Sequence, residues 1–293
     1  MNNYKNKTAV ISGGAEGIGF AIAKAMGQQG MNIVLGDIDP TQLGKAQHEL
    51  QEQGISVLAV TMDVTDPTQW QSIGQQAIER FGKVHMLVNN AGVASAPGPI
   101  EETNHKDWSW VIDVNLKGVI YGAEAIVPLI KEHAEGGWVI NVASMAGMLG
   151  IPYAGAYTAT KVAVVGMSEA WHFELAKHNI HVSALCPAFV KTRIHLSHRN
   201  RQAEHIDKQR QTTSAAAPKH NAAQELVENG IPADLVAQRV VEALNAKELY
   251  IFTHPAQRKA VQQRSQAIDD AFARAEKSPL LADVKDDSTL TFD

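Results

Sequence analysis

Apolar residues recur along the chain in two alternating forms. Short continuous runs such as Thr8–Ser12 (TAVIS), Asn32–Asp37 (NIVLGD) and Met86–Asn89 (MLVN) show no polar alternation, the pattern of strands covered on both faces. Between them lie longer stretches with apolar positions at helical spacing, at Ile18–Gln29, Pro40–Gln53 and Pro67–Phe81. The alternation continues through a run at Ser56–Met62, a helical region around Trp108–His133, a run at Gly137–Ala143, a helix at Ala156–His178 and a run at His181–Leu185.

Strands that alternate with helices in this way predict an α/β fold built on a doubly wound parallel sheet, Rossmann-like, with its ligands at the C-terminal ends of the strands. From Thr192 to Gly230 the pattern fails: the segment is polar, poor in aromatics and without a period. A stretch of this length inside a compact fold reads as a substrate lid, 193–230. Order resumes with PADLVAQRVVEAL, a helix, and LYIFTH, a strand. The organisation expected is a single domain, 5–254, that includes the lid, followed by a C-terminal helix and a loose tail, 255–293.

Composition narrows the class. Of the 293 residues 45% are hydrophobic and 19% charged, enough for a substantial core. A net charge of −5 carries no polybasic signature and argues against nucleic acid as a partner. The single cysteine, Cys186, rules out an intramolecular disulfide and a cysteine metal cluster. No signal-like segment leads the chain and no apolar stretch is long enough to span a membrane, so the expected location is cytoplasmic. His178-x-x-His181 and His195-x-x-His198 lack a third ligand at convincing spacing, and no metal site is expected.

Candidate chemistry begins directly after the first strand. SGGAEGIG (Ser12–Gly19) places Gly13, Gly17 and Gly19 in a turn that opens a helix, where backbone N–H groups and the positive helix end can face a phosphate. By itself such a turn is a weak signal. Asp37, at the end of the second strand, is a carboxylate that can accept from a ribose hydroxyl and repel a 2′-phosphate, although DIDP also reads as a helix cap. In register with the glycine turn, it favours NAD over NADP, and Glu16 in the turn leans the same way.

Farther along, Tyr157 and Lys161 stand four apart and share a helix face. A phenol needs a lowered pKa to move protons near neutrality, and a partly buried ammonium with a positive nicotinamide can supply it. With Ser144 in NVASMAG, NNAG at Asn89–Gly92, Asn115 in VNLKG, Asp63 and the CPAFVKT stretch, the chain resembles the short-chain dehydrogenase/reductase family from about Lys5 to Thr192. The C-terminal part is similar to a subgroup that includes bacterial aryl-alcohol Cα-dehydrogenases.

That resemblance implies roles. Tyr157 would exchange the proton with the carbinol oxygen, Lys161 would lower its pKa and hold a ribose, Ser144 would bind the substrate oxygen, and Asn115 would hold a relay water. Gly13, Glu16, Gly17, Ile18, Gly19, Asp37, Ile38, Asp63, Val64, Asn89, Ala91, Gly92, Pro187, Val190 and Thr192 would join Tyr157 and Lys161 around the cofactor. Met145, Leu149, Tyr153, Ala188 and Ile194 are expected to wall the substrate. One departure is Pro187-Ala188, where the family usually carries Pro-Gly.

The function expected is NAD(H)-dependent interconversion of a secondary alcohol and its ketone on a bulky apolar or aromatic small molecule, by a homodimer or homotetramer. A hydroxysteroid or retinoid-like dehydrogenase is the alternative, and a non-catalytic dinucleotide-binding regulator a more distant one.

Overall fold

In a computed structural model, residues 4–94, 97–206 and 224–284 are described. Seven parallel strands form one sheet: β1 (Thr8–Ser12), β2 (Asn32–Asp37), β3 (Val57–Thr61), β4 (Met86–Asn89), β5 (Gly137–Val142), β6 (Ile180–Cys186) and β7 (Tyr250–Phe252), in the order β3-β2-β1-β4-β5-β6-β7. From β1 the chain winds outward to β2 and β3, then returns to lay β4 on the other side of β1. This reversal opens a crevice at the C-terminal ends of β1 and β4, and the glycine turn follows β1 there.

The helices are α1 (Gly17–Gln28), α2 (Pro40–Glu52), α3 (Pro67–Phe81), α4 (His105–Ile112), α5 (Gly118–Glu132), α6 (Gly155–Ala176) and α7 (Ala233–Ala246). Successive strand residues point to opposite faces, so the sheet divides two apolar cores. Ala9 and Ile11 of β1 enter one core with Ile22 and Met26 of α1, Leu50 of α2 and Val240 of α7; Val10 enters the other with Trp70 and Ile73 of α3 and Ile126 and Ile130 of α5.

Side chains start three of these helices. Asp39 accepts from Thr41 and Gln42 N–H at α2, Asp66 from Thr68 at α3, and Asn104 from Lys106 at α4. Asp39 is therefore the cap in DIDP, which leaves Asp37 for other work. The helix expected around Trp108–His133 is interrupted: α4 and α5 are joined by a π-helical stretch, Asp113–Lys117, with Asn115 at its centre. Such insertions into a helix are frequently found at functional sites.

The lid region has more order than its composition implies. Two 3₁₀ turns, Ile194–Asn200 and Ala203–His205, follow Thr192. Its ends are tied together: Ile231 N–H donates to the Phe189 carbonyl at 3.1 Å and Lys191 N–H to the Ile231 carbonyl at 2.9 Å. The part of the lid at 207–223, and the end of the expected loose tail at 285–293, lie outside the described residues.

Contacts divide the chain into Met1–Thr253 and His254–Asp293. The second unit holds helix α8 (Arg258–Glu276) between 3₁₀ turns at Pro255–Gln257 and Pro279–Leu281. Among the described residues, no helix is long and apolar enough to cross a membrane.

Candidate cofactor and catalytic site

The glycine turn is shaped from below. Gly17 has φ of +60°, which a glycine adopts without strain. Gly19 is required by close approach, because a Cβ there would stand 2.2 Å from the Gly13 carbonyl oxygen. Asn90 braces the turn: its Nδ2 donates to the carbonyls of Ser12 at 3.0 Å and Gly13 at 2.8 Å. Ser12 Oγ accepts from the N–H groups of Asn90 at 3.1 Å and Ala91 at 3.2 Å. Neither brace was singled out from the sequence; their one signal was the doubled asparagine of NNAG.

In contrast to α2, α3 and α4, helix α1 starts without a side-chain cap, Glu16 standing at its N-cap position. Its first-turn N–H groups have no intrahelical acceptor, and the turn beside them is lined by glycine. A half-buried cradle of backbone N–H groups of this form fits a dinucleotide diphosphate.

Asp37 lies 22 residues beyond Ala15 in sequence and against it in space, its Oδ2 accepting from Ala15 N–H at 3.0 Å. Oδ1 accepts from Asp39 N–H at 3.1 Å. Burial raises its pKa, while the two amide bonds pull the other way. Each oxygen keeps a further lone pair for a ribose hydroxyl. Ile38 is half-buried beside it.

Asp63 holds Thr65 N–H and Oγ1 on Oδ1, at 2.9 and 2.8 Å, and Gln202 Nε2 on Oδ2 at 2.7 Å. Val64 is buried; its carbonyl accepts from Trp70 Nε1 at 3.1 Å. Asn89 turns instead into the sheet, where Nδ2 donates to Asn141 Oδ1 at 2.9 Å, so its side chain supports the fold beneath the turn.

Ser144, Tyr157, Lys161 and Asn115 come together from three elements. Ser144 follows β5 and accepts from Ala146 N–H at 3.1 Å, which fixes its rotamer at the start of a 3₁₀ turn. Its hydroxyl donates to the Pro187 carbonyl at 3.4 Å. Tyr157 on α6 is half-buried; burial holds the phenol above its ordinary pKa and the Ser144 hydroxyl opposes this. Lys161, one turn along, is 4% exposed and gives its hydrogen bond to the Val142 carbonyl at 2.8 Å. Burial depresses its ammonium to about 8.

Asn115, wholly buried, clamps Val93 with both ends of its amide, Oδ1 accepting from N–H at 2.8 Å and Nδ2 donating to the carbonyl at 2.9 Å. A Cβ on Gly92 would lie 3.4 Å from Asn115 Oδ1 and 3.7 Å from Lys161 Nζ, which places the NNAG loop between them.

Pro187 is buried, and its carbonyl accepts from Met145 N–H at 2.8 Å. Ala188 is absent from the positive-φ residues, so its Cβ is tolerated where the family carries glycine. Val190 is buried, and Thr192 Cγ2 would stand 3.1 Å from a Cβ on Gly17. Burial pushes the Cys186 thiol up to about 12, which makes it an inert core group.

The expected substrate wall is only partly assembled. Met145 is buried, and Leu149, Ala188 and Ile194 are half-buried. Tyr153 has φ of +65°, held by a hydrogen bond from Gly98 N–H to its carbonyl at 2.9 Å. It lines a cavity of about 320 Å³ with Ile100, Trp108 and Ile151, which none of Ser144, Tyr157 and Lys161 lines.

Among the described residues, one trio brings metal-ligating atoms within 4.8 Å of one another, His85, His133 and Glu135. Its hydrogen bonds leave neither imidazole a lone pair for an ion. His85 Nδ1 accepts from Thr8 N–H at 3.1 Å, so Nε2 carries the proton and donates to Glu135 Oε2 at 3.2 Å. His133 Nδ1 accepts from Glu135 N–H at 3.1 Å, so its Nε2 donates to the Val84 carbonyl at 2.7 Å.

Comparisons with known proteins agree with this geometry. The short chain dehydrogenase family model matches residues 7–203. A "CLA biosynthesis dehydrogenase/reductase" of Lactiplantibacillus plantarum is 34% identical over 92% of this chain and 95% of its own. The "C alpha-dehydrogenase" of a Sphingobium species is 31% identical over 95% of this chain and 90% of its own. A short chain dehydrogenase/reductase from Burkholderia phymatum, solved in complex with NAD, superposes with a TM-score of 0.89 at 34% identity over 99% of this chain and 100% of that one. A parallel sheet that reverses at β1 and β4, a braced glycine turn and a Ser144–Tyr157–Lys161 cluster, together with a match across 7–203, make this chain a member of the short-chain dehydrogenase/reductase family of oxidoreductases.

Proposed function

We propose that the protein is an NAD(H)-dependent oxidoreductase that interconverts a secondary alcohol and its ketone on a bulky apolar or aromatic substrate. The observation that carries the reading is the convergence of Ser144 and Tyr157 with the buried Lys161, at the same sheet end as a glycine turn over which Asp37 presides. When bound, the cofactor supplies the hydride acceptor or donor. The protein's own residues do the rest. Asp37 takes the adenosine ribose and turns away a 2′-phosphate, Asp63 and Val64 border the adenine, and Thr192 with Val190 borders the carboxamide.

Ser144 holds the substrate oxygen against the Tyr157 hydroxyl, which gives up or takes the proton as the carbinol carbon changes hybridisation. A phenol held high by burial is an acid in the reduction direction. As a base for alcohol oxidation it requires added positive charge in the cleft, which Lys161 and an oxidised nicotinamide ring provide. Lys161 also holds the nicotinamide ribose, and Asn115 is placed to support a proton path from it. The relatives' names as dehydrogenases and reductases, and the NAD complex of the Burkholderia protein, support the same reading.

The test is a panel of steroid, aryl and aliphatic secondary alcohols with NAD⁺, followed at the reduced cofactor's absorbance. Turnover is expected with the bulky aryl or apolar members. A panel-wide absence of NAD⁺ reduction, with NADH still bound, overturns the catalytic reading.

A further inference from the structure

The segment after Thr192 gives no group to the chemistry above, yet its cations converge on the cofactor end of the cleft. Arg193 Nη1 donates to Glu16 Oε2 at 2.8 Å, and Arg199 Nη2 pairs with the other oxygen, Oε1. Arg199 Nη1 also donates to the Arg193 backbone carbonyl at 3.1 Å, which ties Arg199 to the same stretch of chain. Glu16 precedes Gly17 at the uncapped start of α1, and Thr192 packs on Gly17 itself. The base of the lid and the glycine turn are thus one surface.

This arrangement has an electrostatic surplus. A carboxylate at the mouth of an anion site repels the anion, and one cation would neutralise it. Two converge here, and Asp37, the acid at the end of β2, is occupied by the amides of Ala15 and Asp39. Guanidinium groups bind phosphate oxygens through paired N–H bonds, and such charge-assisted bonds are about twice as strong as neutral ones.

We propose that Arg193 and Arg199 are diphosphate-binding residues, held over the glycine turn by Glu16 until a dinucleotide enters, so that the segment just after Thr192 recognises the cofactor. The proposal rests on the reading of the cleft as an NAD(H) site. Glu16 is then a placeholder that competes with the ligand, and Gln202, bonded to Asp63, is a second point at which the lid meets the cofactor groove.

The experiment is calorimetric titration of the full chain with NADH, with ADP-ribose, which keeps the diphosphate but lacks nicotinamide, and with AMP, which has one phosphate. Arg193→Gln and Arg199→Gln are each expected to weaken NADH and ADP-ribose about tenfold, with AMP changed much less and with a shallower salt dependence. Glu16→Gln is expected to tighten ADP-ribose, because the competitor is gone, and Arg199→Lys to fall between wild type and Arg199→Gln. If Glu16→Gln weakens ADP-ribose as the arginine variants do, the contact is a structural latch and the proposal fails. Arginine variants that bind ADP-ribose like wild type also sink it. A wild-type chain that binds neither NADH nor ADP-ribose overturns the underlying site and the proposal with it.

Discussion

Lys161 Nζ stands 5.6 Å from the centre of the Tyr157 ring and spends a hydrogen bond on the Val142 carbonyl at 2.8 Å. The ammonium therefore packs against the ring from a place where its charge is costly to keep. Burial takes the ammonium from 10.5 to about 8.

This pair makes opposite predictions for activity and stability. The folded pKa of Lys161 is below its unfolded value, so the penalty of burying the charge is full below about pH 8 and fades as pH rises towards 10.5. The penalty is roughly 3 kcal/mol, offset when the lysine is removed by the unpaired Val142 oxygen. Lys161→Met should lose turnover yet gain roughly 1 to 2 kcal/mol at pH 7, with the gain shrinking towards pH 10.5. Urea unfolding at the two pH values checks this, and a destabilised variant at neutral pH would contradict it.

Tyr157→Phe separates chemistry from binding. The ring and its packing remain while the hydroxyl is lost. Turnover should fall on the order of 10²- to 10⁴-fold, the range for a positioned acid–base group, with NADH affinity nearly unchanged. Activity close to wild type would remove Tyr157 from the mechanism.

The role proposed for Asp37 is to set the cofactor preference. NADH should be used better than NADPH, and Asp37→Ser should narrow that ratio at least about tenfold, equivalent to roughly 1.4 kcal/mol. Steady-state kcat/KM with both cofactors decides it. A wild-type preference for NADPH would show that the carboxylate does not face the 2′ position.

Gly19→Ala probes the turn itself. Its Cβ would fall 2.2 Å from the Gly13 oxygen and 2.4 Å from Asn90 Nδ2, so both the turn and its brace must move. Overpacking of this kind costs about 1–3 kcal/mol, and NADH binding should be lost well before folding is. Thermal melts alongside NADH fluorescence distinguish the two effects.

His85 makes the fold acid-sensitive. Burial lowers its pKa from 6.5 to about 4, with Lys7 and His133 adding to the effect and Glu135 opposing it. The unfolded chain then binds more protons below pH 6.5, so stability is full above that value and falls towards pH 4, by up to roughly 3 kcal/mol. His85→Asn keeps an acceptor for Thr8 N–H and cannot titrate, and should flatten that slope in urea unfolding at pH 7 and pH 5. An equally steep loss in the variant would move the cause elsewhere.

Much of the framework was legible because local periodicity and caps report on it. Pro67–Phe81 and Met86–Asn89 were delimited from sequence, since proline, aspartate and an unbroken apolar run act within a few residues. The trio proposed as catalytic was legible through the spacing of Tyr157 and Lys161 on one helix and resemblance to a family, and that family is borne out. The π-helical break around Asn115 was not, because a π turn keeps helical composition and is revealed only by its hydrogen bonds.

The sequence by itself determined the alternating elements, the glycine turn and the acid at the end of β2, all of them consequences of residue type and order. Only the tertiary structure decided that Asp39 rather than Asp37 caps α2, that Asn90 braces the turn and Asn89 does not, and that lid arginines meet Glu16 across more than 170 intervening positions. Those outcomes depend on which backbone amides and charges the folded sheet brings within about 3 Å, a distance that no local pattern encodes.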